Sequence, residues 1–423
     1  MKTILLFILV FGLLVVIHEY GHYIVAKKSG ILVREFAIGF GPKLVSFRKN
    51  ETTYTVRLLP LGGYVRMAGA EEETELRPGM PLTISLNEQG VVTRINTSQK
   101  GTSVNEFPFE LISADLEKDL FIEGNLNGDP NQRERYTIDR HAIIVEEDGT
   151  EVQIAPIDRQ FQSAPLLNRI LTNFAGPFNN LVLAIVAFMI LAFLQGGVIS
   201  DKPILGDVLP GTPAAEAGLS KEDEVLSIDG VQPETWMDLV LDIQEHPDQE
   251  IDMTVKKKSG ATETYTIIPE SKKAENGEEV GVIGIKAGLE TSFSAKITYG
   301  FTQSWFIATQ ILKSLASMFT GNFSIDMFGG PVAIFATTEA VAKTGLFGII
   351  NWLAVLSLNL FILNLLPIPA MDGGKILLNF IEGIRGKPLS EEKEGIITLI
   401  GVGLMVLLMI AVTWNDIQRF FLR

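Results

Sequence analysis

The sequence predicts an α-helical polytopic membrane protein with soluble, β-containing parts attached. Of its 423 residues 47% are hydrophobic and 20% are charged, and the mean hydropathy is +0.26. That balance is too apolar for an ordinary soluble protein and too charged for a chain made only of membrane spans. Four apolar runs are each long enough to cross a bilayer core of about 30 Å. They cover residues 3–26, 166–194, 348–366 and 394–414.

Charge and cysteine content exclude two classes of site. The net charge of −15 argues against nucleic-acid binding, which requires a basic face. The chain has no cysteine, so it forms no disulfide, and a bound metal ion must be held by nitrogen and oxygen ligands.

The first apolar run carries the pattern HExxH. In a helix His18 and His22 lie one turn apart on one face, so they can bind one Zn²⁺ ion while Glu19 stands beside it as a base. Titratable residues within a membrane span are costly and usually functional. The alternatives are a chance occurrence of a short pattern and a structural Glu–His pair buried between helices. We interpret the run as a retained span rather than a cleaved signal peptide, because no small-residue cleavage site follows it.

Residues 27–66, which follow this run, contain eight basic and two acidic residues. The positive-inside rule therefore places them in the cytoplasm and the N-terminus outside. Glycines punctuate short β segments around Gly39-Phe40-Gly41 and residues 54–59. Two interpretations fit this pattern: an ordinary cytoplasmic hairpin, or a sheet beside the metal whose edge pairs with an extended substrate.

Two further segments are predicted to be soluble. Residues 70–164 are acidic and rich in turns, which indicates a small, mostly β insert with no legible chemistry. Residues 201–290 contain alternating strand patterns, and the segment 209–230 closely resembles a PDZ domain of the bacterial protease type; a generic αβ domain is the alternative. PDZ domains bind peptide ends by adding a strand at a sheet edge. The predicted edge contains Leu205 and Gly206.

Residues 297–320 fit either a span or an amphipathic helix on the membrane surface. They are apolar and contain one charged residue, Lys313, but also many Thr, Ser and Gln. We favour the surface helix, because an extra span would put Asp372 on the opposite side of the membrane from the histidines.

Asp372 is the candidate for a third metal ligand. A catalytic zinc site takes three protein ligands and keeps one position open for water. The other two histidines lie far away in soluble segments, and Asp372 is the one acid between residues 348 and 381. Two prolines break the helix before it, and irregular backbone at membrane depth is tolerated where it lines a cavity or is packed in protein. The alternatives for Asp372 are a helix N-cap and an ion pair with Lys375.

These residues together predict peptide-bond hydrolysis. Zinc lowers the pKa of a water molecule, and Glu19 accepts the proton and returns it to the leaving amine. Asn364, about two turns before Asp372, would hydrogen-bond the substrate backbone or the oxyanion. A catalytically silent PDZ-bearing scaffold and a zinc transporter are the competing functions. The intact Glu19 argues against the first, and the shortage of polar residues in the second and fourth runs argues against the other.

Several motifs together resemble the site-2 protease family of intramembrane metalloproteases. Within it, the chain is similar to the bacterial RseP-like group with a single PDZ domain found in Gram-positive bacteria, and the resemblance covers nearly the whole chain. Besides the PDZ segment, the motifs are His18-Glu19-Tyr20-Gly21-His22, Gly62-Gly63-Tyr64-Val65, Gly176-Pro177-Phe178-Asn179-Asn180 and Asn364-x-x-Pro367-x-Pro369-x-Met371-Asp372-Gly373. Met371 stands where the family often has leucine, and the insert is larger than in better-known relatives.

The resemblance implies roles and partners. His18, His22 and Asp372 would bind zinc, and Glu19 would be the general base. The residues implied to hold or clamp the substrate are Gly39, Phe40, Gly41, Tyr54 and Asn364. Substrates would be single-span membrane proteins already cut by an upstream site-1-type protease, such as anti-sigma factors, and signal-peptide remnants. The PDZ domain would act as a size filter or docking site.

The implied location is the bacterial plasma membrane. The N-terminus and PDZ domain would lie outside and the active site near the cytoplasmic side of the lipid bilayer. The predicted division of the chain is a first transmembrane helix (1–27), a membrane-associated β region (28–69), a cytoplasmic insert (70–164), a second transmembrane helix (165–196), an extracellular PDZ domain (201–290), an interfacial segment (291–346), a third transmembrane helix with the Asp372 motif (347–381) and a fourth (394–416).

Overall fold

A computed structural model of the chain describes residues 2–69, 76–98, 106–273, 278–319, 325 and 329–419. Parts of the predicted insert, PDZ segment and interfacial segment therefore lie outside the described residues. These parts are residues 70–75, 99–105, 274–277, 320–324 and 326–328. The chain forms two compact units, one made of Met1–Ala187 with Ser304–Arg423 and the other of Phe188–Gln303.

Four helices of the described chain are long and apolar enough to cross a membrane, which confirms the predicted polytopic membrane architecture. The helices are α1 (Lys2–Lys28), α2 (Leu166–Leu194), α3 (Pro213–Glu216), α4 (Trp236–Gln244), α5 (Phe293–Phe319), α6 (Pro331–Ala342), α7 (Leu346–Leu365), α8 (Asp372–Arg385) and α9 (Glu391–Ile417). The four candidate spans are α1, α2, α7 and α9. Helix α5 is not among them in the described part of the chain, because Thr, Gln and Ser interrupt its apolar residues.

The strands belong to several small sheets. They are β1 (Val33–Lys49), β2 (Thr52–Met67), β3 (Pro81–Leu86), β4 (Val92–Asn96), β5 (Phe107–Asp115), β6 (Phe121–Leu126), β7 (Arg133–Val145), β8 (Glu151–Gln153), β9 (Val198–Ile199), β10 (Leu205–Val208), β11 (Glu224–Ile228), β12 (Ile251–Lys256), β13 (Thr262–Ile267), β14 (Glu270–Lys273), β15 (Glu279–Val282), β16 (Ile285–Ala287) and β17 (Leu289–Glu290).

Strands β1 and β2 are long and sharply bent, so that each contributes two segments to one mixed sheet. Glu35 pairs with Arg66 on one side and with Thr53 on the other. Across the sheet the order is residues 63–67, 33–38, 52–59 and 43–49, which makes 63–67 and 43–49 its edges. The bends lie at glycines with positive φ, at Gly39 and Gly41 in β1 and Gly62 in β2. We call this unit the bent sheet.

Strands β3 to β8 form a separate sheet that closes on itself. Its order is β4-β3-β5-β6-β7-β8, and β4 also pairs in parallel with the second half of β7. Alternating residues of these strands point inward and form a core of Ile, Leu, Val and Phe that is almost inaccessible to solvent. Strand β8 pairs antiparallel with β7 and is the last strand in this order.

The second unit has its own core around Leu205, Leu239 and Met253. Strands β11, β12 and β13 form an antiparallel sheet, and β10 pairs with β16. Helix α4 starts with a capping box, in which the Thr235 side chain accepts from the Asp238 N–H and Asp238 accepts from the Thr235 N–H.

The predicted third transmembrane helix, 347–381, is interrupted. Helix α7 ends at Leu365, and α8 starts only at Asp372. Two prolines lie between them, and Ala370 has a positive φ of 74°, which no helix tolerates. Helix α8 exposes apolar residues on its outer face, including Ile384 at 87% of its surface, and buries Asn379. Its polar face is therefore turned toward the protein.

Candidate metal centre

Helix α1 brings the two predicted histidine ligands together. His18 and His22 lie one turn apart, and their Nε2 atoms are 3.2 Å from each other. The His22 side chain is almost completely buried, and that of His18 is 13% exposed. Two imidazole nitrogens therefore face the same small volume inside a candidate membrane span.

Asp372 completes the cluster from the other end of the chain. As the first residue of α8, it places Oδ2 3.2 Å from His18 Nε2 and 3.4 Å from His22 Nε2. Gly373 and Gly374 permit this position, because a Cβ on either would lie 2.3 Å from a carbonyl oxygen of the segment before α8. The structure thus juxtaposes the three residues that the sequence predicted as ligands. The N-cap alternative for Asp372 does not describe it, since the N-cap of α8 is Met371.

Helix α2 orients both imidazole rings. The buried His22 Nδ1–H donates to the Thr172 carbonyl oxygen at 2.7 Å. His18 Nδ1 lies 3.2 Å from the Asn180 side-chain amide, whose Oδ1 is buried without a partner. When the Asn180 amide is rotated by half a turn, its Oδ1 accepts a hydrogen bond from the His18 Nδ1–H. Asn180 Oδ1 then no longer lacks a partner. Both Nε2 atoms then present lone pairs to the centre, as in metal sites whose ligands are oriented by outer partners.

Helix α2 packs closely against the two histidines. A Cβ on Gly176 would lie 2.2 Å from His22 Nε2, and a Cβ on Gly21 would lie 2.2 Å from the Ala175 carbonyl oxygen. Neither glycine can be enlarged without moving a helix or a ligand. The sequence motif that contains Gly176 and Asn180 was noted above without a role, and these contacts supply one.

The cluster fits a zinc ion. With the proton of each neutral ring on Nδ1, two imidazole Nε2 lone pairs and a carboxylate oxygen converge, which is repulsive unless a cation lies among them. Ligand atoms about 2.0–2.1 Å from a tetrahedral zinc are about 3.3 Å apart, and the observed separations are 3.2, 3.2 and 3.4 Å. Asp372 Oδ2 is also buried without a hydrogen-bond partner. Three protein ligands of this type leave a fourth position for water, as catalytic zinc sites do.

Glu19 lies beside the cluster and against the bent sheet. It interacts electrostatically with both histidines, Asp372 and Lys375. A Cβ on Gly63 would lie 3.6 Å from Glu19 Cγ and 3.2 Å from Val15. The edge segment 63–67 of the bent sheet therefore passes next to the proposed base, and no other strand of the described chain pairs with its outer side.

The residues expected to hold substrate lie in different places. Phe40 is 46% exposed at the bend, between Gly39 and Gly41, and its ring packs on Gly62. The Tyr54 hydroxyl hydrogen-bonds the Tyr23 hydroxyl at 2.7 Å, and burial together with that bond raises the pKa of Tyr54 to about 12. This hydroxyl is thus already engaged within the protein.

Asn364 lies half-buried in the last turn of α7, which leads into the segment before Asp372. It therefore lies on the helix before α8, close to the start of the irregular segment that leads to Asp372. Sequence reasoning did not single out the Gly63–Met67 edge as the part of the bent sheet nearest the base, although the Gly62-Gly63 pair marked the bend.

The expected free edge at Leu205 and Gly206 requires a correction. Strand β10 pairs with β16 on one side, with Leu205 opposite Ala287. On the other side the Leu205 N–H donates to Asp223 and its carbonyl accepts from Glu222. Its backbone groups are therefore engaged and cannot receive an added strand there. In the described part of this unit, β16 pairs only with β10 and has a side without a strand.

Comparison with known proteins identifies relatives across the whole chain. The family model described as peptidase family M50 matches residues 6–408. The probable protease Eep of Enterococcus faecalis is 51% identical over 100% of both chains. The zinc metalloprotease RasP of Geobacillus kaustophilus and the regulator of sigma-W protease RasP of Bacillus subtilis are each 44% identical, over 100% of this chain and 99% of theirs.

Proposed function

The chain belongs to peptidase family M50 and is a zinc metalloprotease of the membrane, and on this premise we propose that it hydrolyses peptide bonds within transmembrane segments. One observation carries the proposal. His18, His22 and Asp372 offer ligand atoms within 4.8 Å of one another, and two of them belong to a helix apolar enough to cross the membrane. A hydrolytic centre in that position reaches bonds that soluble proteases cannot.

In this proposal His18, His22 and Asp372 hold the zinc ion. Zinc bound there acts as a Lewis acid toward the scissile carbonyl and the attacking water. Thr172 and Asn180 fix the histidine rings, so that Nε2 of each faces the ion. The glycine contacts between α1 and α2 keep the ligand cage small.

Glu19 acts as general base and then as general acid. It takes a proton from water as the water oxygen bonds to the scissile carbonyl carbon. It then gives that proton to the amide nitrogen as the C–N bond breaks, which yields a carboxylic acid and an amine. Its place between the metal ligands and the edge of the bent sheet supports this role.

The substrate is presented as an extended strand. Proteolysis requires the backbone of a membrane helix to be unwound, and an unwound backbone in the membrane must find hydrogen-bond partners. The edge segment 63–67 of the bent sheet offers such partners by strand addition next to Glu19. Gly39, Phe40, Gly41 and Tyr54 shape and support the sheet, and Asn364 holds substrate backbone near Asp372.

The domain organisation and partners follow the same proposal. The β3–β8 sheet is a cytoplasmic insert, the second unit is a PDZ domain outside the cell, and α5 lies on the membrane surface. Substrates are single-span proteins trimmed by an upstream site-1-type protease, including anti-sigma factors and signal-peptide remnants. The relative named regulator of sigma-W protease supports the anti-sigma class.

A single comparison tests the chemistry. Purified wild type and Glu19→Gln are given a single-span substrate in bilayer discs, and zinc per chain is measured in both. We expect cleavage by wild type only, with about one zinc ion per chain in each protein. Glu88→Gln, an exposed carboxylate in the insert, is the matched control and should cleave normally. Cleavage by Glu19→Gln would contradict its role, and absence of zinc from both proteins would contradict the ligand set.

A further inference from the structure

The bent sheet contacts the insert along the edge formed by β8. On either side of β8, the Thr150 carbonyl accepts from the Glu146 N–H and the Ile154 N–H donates to the Ala142 carbonyl. The alternate residues Glu151 and Gln153 therefore direct their carbonyls to the other side. There the Thr53 hydroxyl donates to the Glu151 carbonyl, and Arg34 Nε donates to the Gln153 carbonyl at 2.9 Å. The edge of the insert is thus capped by side chains of the bent sheet rather than by another strand.

The turn between β7 and β8 carries acids that face the basic residues of the bent sheet. Arg66 NH1 lies 2.7 Å from Glu146 Oε1, and both side chains are mostly buried. Arg57 NH2 lies 3.8 Å from Asp148 Oδ2, and Lys43 donates to the Thr150 hydroxyl at 3.4 Å. Burial opposes ionisation of Asp148, but its bonds to Thr150 and the nearby cations hold the pKa of its carboxyl below the usual range. We call residues 146–150 the acidic turn.

A buried carboxylate joins this turn to the edge segment beside Glu19. Glu35, 1% exposed, accepts from Arg57 NH2 at 3.1 Å and from the Tyr64 hydroxyl at 2.8 Å. Arg57 also lies over the Tyr64 ring. Tyr64 and Arg66 both belong to the edge segment 63–67. Two independent connections therefore run from the acidic turn to that segment, one direct through Arg66 and one through Arg57 and Glu35.

We propose that the acidic turn is a positioning element, which fixes the edge segment 63–67 in the orientation that aligns an added substrate strand with Glu19. This inference rests on the proposed function and gives the insert a part in it. Glu146 and Asp148 are positioning residues that act through Arg66, Arg57 and Glu35. Because they touch neither the metal ligands nor Glu19, they govern how substrate is held rather than how the bond is broken.

The experiment separates substrate alignment from chemistry. Full-length Glu146→Gln is assayed on the single-span substrate, together with Asp148→Asn, whose half-exposed carboxylate can be changed without burying an uncompensated charge. We expect KM to rise by about three- to tenfold for each variant, with kcat changed by less than about twofold. Zinc content should equal that of wild type. The exchanged pair Arg66→Glu with Glu146→Arg restores the contact with reversed charges and should bring KM back to within about twofold of wild type.

A matched control lies in the same insert. Glu123 pairs with exposed Arg133 at 2.7 Å, away from the bent sheet, and Glu123→Gln should leave KM unchanged. The proposal is overturned if both acidic-turn variants keep the wild-type KM, if Glu123→Gln raises KM equally, or if the exchanged pair gives no recovery. The wild type and Glu19→Gln run alongside, so that failure of the proteolytic function itself appears as absent wild-type cleavage rather than as an unchanged KM.

Discussion

Gly176 shows how little space the candidate metal centre leaves around its ligands. A Cβ on Gly176 would lie only 2.2 Å from His22 Nε2, so any side chain at this position would overlap the His22 ring. Gly21 makes the reciprocal close approach toward α2. These two positions set the distance between α1 and α2, and through it the position of His22.

Gly176→Ala should therefore weaken zinc binding. The added methyl displaces the His22 ring, and disturbing the groups around a zinc ligand typically costs about 10–100-fold in affinity. Competition with a chromogenic chelator measures the loss directly. Gly12→Ala on α1 is the control, because no atom outside the helix lies within 4 Å of its Cβ position, and it should bind zinc as wild type does. Equal affinity of the two variants would contradict the packing argument.

At the residue scale, local spacing predicted which three side chains would lie together but not what surrounds them. His18 and His22 are one helical turn apart, and Asp372 was the one acid in its apolar segment, so sequence alone could select all three. The roles of Thr172 and Asn180 could not be predicted, because each contacts a histidine about 150 residues away through the crossing of two helices. Such contacts depend on packing, which one sequence does not encode in any short pattern.

Helix α8 carries Asp372 but is not continuous with α7, so its direction must be set by contacts elsewhere along it. Ten residues beyond Asp372, Glu382 accepts two hydrogen bonds from Arg169 of α2, one of 2.9 Å through NH1 and a shorter one through NH2. This bidentate pair joins α8 to the helix that orients both histidines. Over roughly 15 Å of helix, a small rotation at one end becomes a large displacement at the other.

Glu382→Gln should destabilise the protein and loosen the metal. Removing one charge leaves Arg169, which is 6% exposed, without its counter-ion, and breaking such a pair costs on the order of 3 kcal/mol. We expect a lower melting temperature and faster loss of zinc to a chelator. Glu339→Gln on α6 removes an exposed carboxylate paired with Lys343 and should change neither quantity. Unaltered zinc loss from Glu382→Gln would show that α8 is held by other contacts.

At the element scale, apolar length located the helices and two prolines predicted a break before Asp372, but the closure of the insert was not predicted. The run 166–194 matches α2 although Pro177 lies inside the helix, because its apolar length leaves few alternatives. The third span ends at Leu365 rather than continuing to residue 381, since the prolines act together with a positive φ at Ala370. The parallel pairing of β4 with β7 joins strands about 50 residues apart, and no periodicity in the sequence reports such a pairing.

At the scale of the whole molecule, the orientation of the chain across the membrane can be tested directly. Because the chain has no cysteine, single cysteines can be introduced as unique labels for a membrane-impermeant maleimide. Glu88→Cys in the insert should be labelled only after the cells are permeabilised, and Lys221→Cys in the second unit should be labelled in intact cells. Both side chains are exposed. Labelling of Glu88→Cys in intact cells would contradict the positive-inside assignment.

Five of the basic residues used for that assignment contact one part of the insert. Arg34, Lys43, Arg48, Arg57 and Arg66 each contact the strand β8 or the turn before it. Their count still predicts the side of the membrane, because the rule concerns insertion rather than the final fold. It did not predict that Arg57 and Arg66 meet carboxylates of the insert, since which charges meet is decided by the tertiary structure.

Removal of zinc by a chelator should lower the stability of the protein as well as its activity. His18 and Asp372 are separated by roughly 350 residues, so a zinc ion between them closes a very long loop, and long loops gain most from closure. We expect removal of zinc by a chelator to lower the melting temperature of wild type and of Glu19→Gln alike, as measured by scanning fluorimetry. A melting temperature insensitive to chelation would show that the ends of the chain are held together without the ion.

In a chain without cysteine, a zinc ion held by His18, His22 and Asp372 would act as a tether in place of the disulfide the protein cannot form. A newly inserted copy that has not yet acquired zinc would have its final helices less firmly joined to its first, and would be the copy most open to quality-control degradation. Cellular zinc supply would then set how many copies survive as well as how many are active.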